Sequence, residues 1–117
     1  MVSNNWLPTN ASPPSVSVGN VGYSYSMAVI DGNPAISYYD GGNHDLKYVR
    51  ATNASGTAWS TPITLDSEGD VGAYSSLAEV GGGPAISYRD QTNNDLKFVK
   101  PAAMPASFTI EWIALEP

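Results

Sequence analysis

Two loops of this chain carry acidic and amide side chains at the same spacing, and these groups could bind a polar ligand. Asp40 and Asp45 flank the residues GGNH, and Asp90 and Asp95 flank the residues QTNN. Carboxylates and amides beside tyrosine rings suit the hydroxyl groups of a carbohydrate, and the same oxygens suit a hard cation such as calcium. The spacing D-x-x-N-x-D lacks the glycine and the distant glutamate of an EF-hand loop. We therefore predict no metal or other cofactor, with calcium as the weaker alternative.

The candidate ligand-binding set consists of two tyrosines, four aspartates and one arginine. Its members are Tyr25, Tyr74, Asp40, Asp45, Asp90, Asp95 and Arg89. Each type also has an ordinary structural role, because aspartate in a hairpin loop caps local backbone groups and tyrosine packs within sheets with its hydroxyl in water. Turn geometry explains the recurring aspartates as well as ligand recognition does.

Catalysis is not indicated by the sequence. His44 is the only histidine, and a lone loop histidine without a serine–aspartate or cysteine partner is expected to be solvated. Carboxylate pairs of the glycosidase type are available, but no feature marks one of them for a raised pKa. We expect a protein that is not an enzyme, with a glycoside hydrolase remnant as the least favoured alternative.

Composition excludes several partners. The net charge is −6, and the basic residues are Lys47, Arg50, Arg89, Lys97 and Lys100, which form no stripe that could neutralise a nucleic acid backbone. No apolar run approaches the roughly 20 residues of a membrane-spanning helix, and no signal peptide is recognisable. With no cysteine there is no disulfide framework or thiolate metal site. We predict no nucleic acid and no membrane partner, and the compartment stays unassigned.

The elements that position the two acidic loops occur twice. Residues 21–50 (VGYSYSMAVIDGNPAISYYDGGNHDLKYVR) align without a gap with residues 71–100 (VGAYSSLAEVGGGPAISYRDQTNNDLKFVK), and about half of the aligned positions are identical. A period of this length is typical of solenoids and propellers, in which one unit buries its apolar faces only by stacking on its copies.

Each unit is predicted to contain four antiparallel strands, and the chain is predicted to be all-β. The first three strands are predicted at Tyr25–Ile30, Pro34–Tyr39 and Asp45–Arg50, and again at Ser75–Val80, Pro84–Arg89 and Asp95–Lys100. The fourth strand follows Trp59 as STPITL. Tight hairpins are predicted at DGN and GGG, because these residues adopt positive φ readily. In the second strand, Ala35 and Ser37 lie on one face and Ile36 and Tyr38 on the other, a pattern that favours sheets stacked face to face.

The tryptophans indicate the organisation of the whole chain. Trp6, Trp59 and Trp112 are evenly spaced and each lies near the start of a predicted fourth strand. We therefore predict one unit of two blades, with residues 1–20 as an extra outer strand, 21–66 as the first blade and 71–117 as the second. A frayed tail is the alternative for the N-terminal segment.

The linker before the fourth strand carries a family resemblance. Residues 52–59, TNASGTAW, resemble the Asp-box of sialidase-type (BNR) β-propellers, S-x-D-x-G-x-T-W, with matches at Thr52, Gly56 and Trp59. Ala54 stands at the aspartate position and Ala58 at the threonine position, so the box is degenerate. The P-A-I-S-Y-Y-D and D-L-K-Y segments also look like blades of bacterial propeller proteins. The resemblance implies a propeller, but the three arginines of the sialidase site are not present.

Propeller geometry predicts self-association. A propeller closes with about four to eight blades, and this chain offers two. We expect identical chains to join head to tail in a homo-oligomeric ring, with a trimer of six blades favoured over a dimer or a tetramer. The expected function is a non-enzymatic binding or scaffold module of unknown ligand, with lectin-like glycan binding as one form of it. A purely structural, self-assembling propeller fragment is the alternative.

Overall fold

The computed structural model describes residues 20–101 and the backbone of 110–115, and in these ranges the chain is all-β. Its eight strands are β1 (Val21–Ile30), β2 (Asn33–Asp40), β3 (Asp45–Arg50), β4 (Ile63–Asp66), β5 (Val71–Val80), β6 (Gly83–Asp90), β7 (Asp95–Pro101) and β8 (Ile110–Leu115). No helix long and apolar enough to cross a bilayer occurs in the described part of the chain.

The strands form two four-stranded antiparallel sheets with the same topology. The orders are β1-β2-β3-β4 and β5-β6-β7-β8, so each sheet is a meander in which sequential strands are neighbours. The strand registers also repeat. Ser26 pairs with Ser37 in the first sheet, and Ser76 pairs with Ser87 in the second. Aligned residues of the two halves of the sequence therefore occupy equivalent strand positions in the two sheets.

Two-residue turns close the first hairpin of each sheet. Asp31 and Gly32 have φ of 47° and 85°, and Gly81 and Gly82 have φ of 63° and 83°. Positive φ at both central residues is the type I′ geometry, whose twist matches that of the strands it joins. The predicted hairpins at DGN and GGG are confirmed.

Three predicted boundaries are wrong. Strands β1 and β5 begin at Val21 and Val71, four residues before the predicted starts, and the pairing with the next strand shifts register within these first residues. Strand β4 begins at Ile63 rather than directly after Trp59, because Pro62 has no N–H to donate to the ladder. The predicted outer strand in residues 1–20 lies outside the described residues except for its end.

The two sheets pack against each other through opposite faces. Strand β5 contacts β1, β2 and β3 of the first sheet. We call the face of the first sheet that meets the second its back face, and the face of the second sheet that meets the first its front face. The core between them consists of Ile30, Ala35, Leu46, Tyr48 and Leu65 from the first sheet and Val71, Leu77, Ile86, Tyr88 and Val99 from the second.

Small residues allow the close approach of the sheets. Gly72 has φ of 110°, and a Cβ atom there would lie 2.8 Å from the Cα of Leu46. Ser37 and Ser75 meet between the sheets, with their hydroxyl oxygens 2.9 Å apart. The predicted alternation in β2 is confirmed, since Ala35 and Ser37 are both fully buried on the back face.

Candidate functional site

The predicted acidic loops are organised mainly by their own aspartates. Oδ1 of Asp40 accepts hydrogen bonds from the backbone N–H groups of Gly42 and Asn43 at 3.0 and 3.2 Å, and Oδ2 accepts one from the Asn43 side chain. Asp90 accepts the equivalent bonds from the backbone and side chain of Asn93. Both aspartates are only 2% exposed. Their carboxylates therefore cap the turns and are turned away from solvent.

The same hydrogen bonds set the charge state of these two carboxyls. The side-chain hydrogen bond from Asn43 is the main cause that lowers the pKa of Asp40. At Asp90 burial raises the pKa, but the hydrogen bonds from Asn93 outweigh it, so the net shift is downward. Asp45 shifts in the opposite direction, because burial and then the charge of Asp40 raise its pKa. A charged carboxylate is thus built into each turn.

The remaining predicted site residues do not come together. Tyr25 is 65% exposed on the outer face of β1, and Tyr74 is 75% exposed on β5. Arg89 lies on the opposite outer face, where its guanidinium donates to the side-chain oxygen of Asn94. Asp95 pairs with Asp90 across the second turn, as Asp45 pairs with Asp40 across the first. The seven candidates thus divide among two turns and two opposite faces.

A cluster of polar side chains that the sequence did not reveal links the crossover between the sheets to the first turn. The Tyr39 hydroxyl lies 2.8 Å from Nδ1 of His44 and donates to Asp70 at 2.7 Å. The backbone adds a further link to the first turn, from Val71 N–H to the His44 oxygen, and a link to the second turn, from Gln91 N–H to the Asp70 oxygen. His44 was predicted to be solvated, and its side chain is 55% exposed but also hydrogen-bonded.

This cluster suits a structural role better than acid–base chemistry. Burial and then the hydrogen bond to Asp70 raise the pKa of Tyr39 to about 12, so the phenol stays protonated at neutral pH. Arg89 and Asn94 repeat the contact between the same two positions in the second sheet. Because the contact recurs with different side chains, we infer that the residues at these two positions serve to bridge the turn.

A buried ion pair joins the end of β4 to the front face of the second sheet. Oδ2 of Asp66 lies 3.0 Å from the ammonium of Lys97 and accepts a hydrogen bond from the Tyr88 hydroxyl at 2.7 Å. Its Oδ1 accepts the Glu68 N–H. Burial and then the bond to Asp66 raise the pKa of Tyr88. Asp66 is 2% exposed, and both of its carboxylate oxygens accept hydrogen bonds from the chain itself.

The loop from β3 to β4 is folded on itself. Oδ1 of Asn53 accepts the Thr57 N–H, and the indole N–H of Trp59 donates to the Gly56 oxygen. Ala51 and Trp59 form an isolated antiparallel bridge that closes the loop. This arrangement brings Thr52, Ser60 and Thr61 to the wall of a cavity.

That cavity, of about 540 Å³, lies between the back face of the first sheet and the β5–β6 turn of the second. Its lining residues are Ile30, Asp31, Tyr48, Arg50, Ala51, Thr52, Ser60, Thr61, Ile63, Gly82, Gly83 and Pro84. The volume falls within the range of about 300–1,000 Å³ that small-molecule sites occupy. The wall combines aliphatic side chains with a phenol, a guanidinium, a carboxylate and three aliphatic hydroxyls.

Arg50 is oriented by the first hairpin. Its Nε and Nη2 donate to the Ile30 oxygen at 3.0 and 2.9 Å, and Nη2 also donates to the Asp31 oxygen. The Ser60 hydroxyl donates to the Arg50 oxygen from the other side. Sequence reasoning missed this site because two separate sheets build it. The available signal was that the second repeat has Phe98 and Lys100 where the first has Tyr48 and Arg50.

The arrangement shows no metal centre, since no three acidic or histidine side chains of the described residues are placed to hold one ion. Comparison with protein-family models, with curated proteins and with solved structures found no match for this chain. The function therefore has to be argued from the faces of the sheets and from the cavity.

Proposed function

We propose that this chain is a non-enzymatic binding or scaffold module that acts as a head-to-tail assembly of identical chains, with a ring of blades as its form and a carbohydrate as its candidate ligand. One observation carries the proposal. Four large apolar residues of the outer faces are exposed while their repeat equivalents are buried between the sheets, namely Tyr25, Met27, Val80 and Leu96.

The outer face of the first sheet is the equivalent of the buried front face of the second. Met27 is 63% exposed, and its repeat equivalent Leu77 is 6% exposed. Tyr25 and Val29 flank Met27 and are also exposed, and their equivalents Ser75 and Glu79 bond to the first sheet. The outer front face of the first sheet is thus more apolar than the front face of the second sheet, which is buried between the sheets. An exposed apolar face of this kind is expected for a surface that binds a partner.

The outer face of the second sheet is the equivalent of the buried back face of the first. Leu96 is 53% exposed, whereas its equivalent Leu46 is 0% exposed against Gly72. Val80 is half exposed, whereas Ile30 is buried. A front face and a back face are left over on every chain, and the internal junction already pairs one such front with one such back.

This pairing favours a heterologous contact between copies. In a twofold dimer the same patch meets itself, whereas a front-to-back contact repeats until the rotation closes a ring. A ring of about four to eight blades needs two, three or four of these chains. Of these assemblies, we expect the trimer of six blades. The glycan part of the proposal concerns what such an assembly binds, and the faces alone support only the assembly.

The test is the mass of the protein in solution, measured by light scattering on a size-exclusion column at several concentrations. We expect a stable multiple of 12.3 kDa. Met27→Lys blocks the outer front face, Leu96→Lys blocks the outer back face, and each variant alone is expected to be monomeric. Ala54→Lys, in the exposed β3–β4 loop, is the matched control and should assemble like the original chain.

Mixing the two blocked variants distinguishes the modes of contact. A head-to-tail contact leaves one intact junction in the mixture, so an equimolar mixture should form a heterodimer and nothing larger. If Leu96→Lys assembles normally while Met27→Lys does not, the contact is front to front and the ring is wrong. A chain that is monomeric at every concentration would contradict the assembly altogether.

A further inference from the structure

We propose that the cavity between the back face of the first sheet and the β5–β6 turn binds a neutral sugar ring, held by the Tyr48 hydroxyl and the Arg50 guanidinium. This inference deepens the proposed function by naming the site for its candidate ligand. It does not depend on assembly, because residues of one chain build the whole cavity.

The Tyr48 hydroxyl is a polar group of the cavity that lacks a partner. Tyr48 is 3% exposed, and its hydroxyl is buried without a hydrogen-bond partner among the described residues. Leaving such a group unpaired costs about 1–3 kcal/mol. Its equivalent Phe98 pairs with Ser87 in the register that Tyr48 makes with Ser37, so packing in this strand requires the ring and not the hydroxyl. The oxygen has almost no open surface in the free chain, so a ligand in the cavity supplies the partner that it lacks when the Tyr48 ring turns toward the cavity.

The charges of the cavity wall balance each other. The cavity is lined by one cation, Arg50, and one anion, Asp31. At the equivalent positions the second repeat has Lys100 and Gly81, so the fold does not require this pair. A wall with no net charge favours a neutral ligand, and a wall that contains both a guanidinium and a carboxylate favours a ligand that both accepts and donates hydrogen bonds.

The cavity wall combines hydroxyl groups with aliphatic surface. Thr52, Ser60 and Thr61 offer hydroxyls from one side, while Ile30, Ile63 and Pro84 present apolar surface. A sugar ring has hydroxyls at its edge and C–H groups on its faces, so it matches both kinds of surface at once. An organic acid would meet the Asp31 carboxylate, and a purely apolar ligand would leave the Tyr48 hydroxyl unpaired.

The experiment is a titration of the ¹⁵N-labelled chain with glucose, galactose, N-acetylglucosamine and lactose, followed by amide chemical shifts. At least one sugar is expected to shift the amides of Tyr48, Arg50, Thr61 and Gly83. Tyr48→Phe should weaken binding of that sugar by about fivefold, the loss expected for one hydrogen bond. It should not lower the free energy of unfolding of the free chain, since it removes a buried hydroxyl that has no partner.

Tyr74→Phe is the comparison variant, because Tyr74 was a candidate on the other end of the sheets. Binding that is lost with Tyr74→Phe and kept with Tyr48→Phe would place the sugar beside Tyr74 on β5 and overturn the proposal. If none of the four sugars shifts the cavity amides, the ligand class is wrong. A destabilised Tyr48→Phe chain would show that the hydroxyl has a structural role. The Met27→Lys monomer should bind the sugar as well as the assembled chain does, so failure of this proposal is separate from failure of assembly.

Discussion

The two sheets share a register but differ in which of their faces is covered. Ser37 faces Tyr48 in the first sheet as Ser87 faces Phe98 in the second, and both first hairpins use the same turn. Yet Leu46 is fully buried while Leu96 is half exposed. The same strand position is thus a core position in one sheet and a surface position in the other.

The difference teaches that the sequence of each unit specifies the contacts of a sheet with its neighbour as well as the sheet itself. Each repeat carries a front face and a back face of the same kinds of residue, and within one chain only one pair of these faces meets. Apolar surface contributes about 25 cal/mol per Å² when it is removed from water, so both outer faces retain a driving force for association. Three pairs of substitutions test this comparison.

The largest effect is expected at Gly72, the closest approach between the sheets. In Gly72→Ala, the new Cβ would meet the Cα and N of Leu46 at 2.8 and 3.0 Å, and backbone atoms cannot move aside as a side chain can. We expect a loss of about 3 kcal/mol or more in the free energy of unfolding, measured with urea.

The control is Gly82→Ala, which also has positive φ but has no atom within 4 Å of the new Cβ. Only backbone strain of about 1–2 kcal/mol is expected there. Equal losses for the two variants would show that the two sheets can move apart without cost. The contact between the sheets of one chain would then not be a reliable guide to the contact between chains.

The next effect compares Leu46→Ala with Leu96→Ala. Leu46 is buried against the second sheet, so its truncation should cost about 2–5 kcal/mol. Leu96 lies on the outer back face, so its truncation should cost less than about 1 kcal/mol when the chain is held monomeric by Met27→Lys. Urea unfolding of both variants in that background checks the prediction.

In the chain without Met27→Lys, truncation of Leu96 should cost more stability and so become more like truncation of Leu46. If an adjoining chain covers Leu96, its truncation should reduce the assembled mass at low concentration. An assembly that is insensitive to Leu96→Ala would mean that the outer back face does not form the contact.

Much of the fold was predictable from local chemistry, whereas the sites were not. The PAISY strands and the positive-φ turns follow from alternation and from Asp-Gly and Gly-Gly pairs. The early starts of β1 and β5 were hidden because a glycine in a strand suggests a break, and Gly72 is needed only because Leu46 packs on it. Asp40 and Asp90 satisfied the pattern of a binding site, but that pattern does not distinguish a ligand from the turn's own N–H groups.

The smallest effect concerns a feature that both sheets share, the aspartate that caps each β-turn. The pKa values of Asp40 and Asp90 lie below the ordinary value of 3.8 in the folded chain. The folded state then binds fewer protons than the unfolded state near that pH, so this contribution to stability is fully present above about pH 3.8 and is lost as the pH falls through the folded pKa. Asp45 opposes it, because its pKa is raised.

Asp40→Asn and Asp90→Asn should each lower the free energy of unfolding by about 1 kcal/mol at neutral pH, the contribution of a typical hydrogen bond. The difference from the original chain should shrink as the pH falls in a urea series recorded from pH 7 to pH 2.5. Asn43→Ala is the matched variant, since it removes the side-chain donor to Asp40 and should also weaken the acid dependence. Because both turns have the same contacts in one chain, the two aspartates should behave alike. Unequal losses for the two aspartate variants would show that the sheets differ in the stability of their turns as well as in which of their faces is covered.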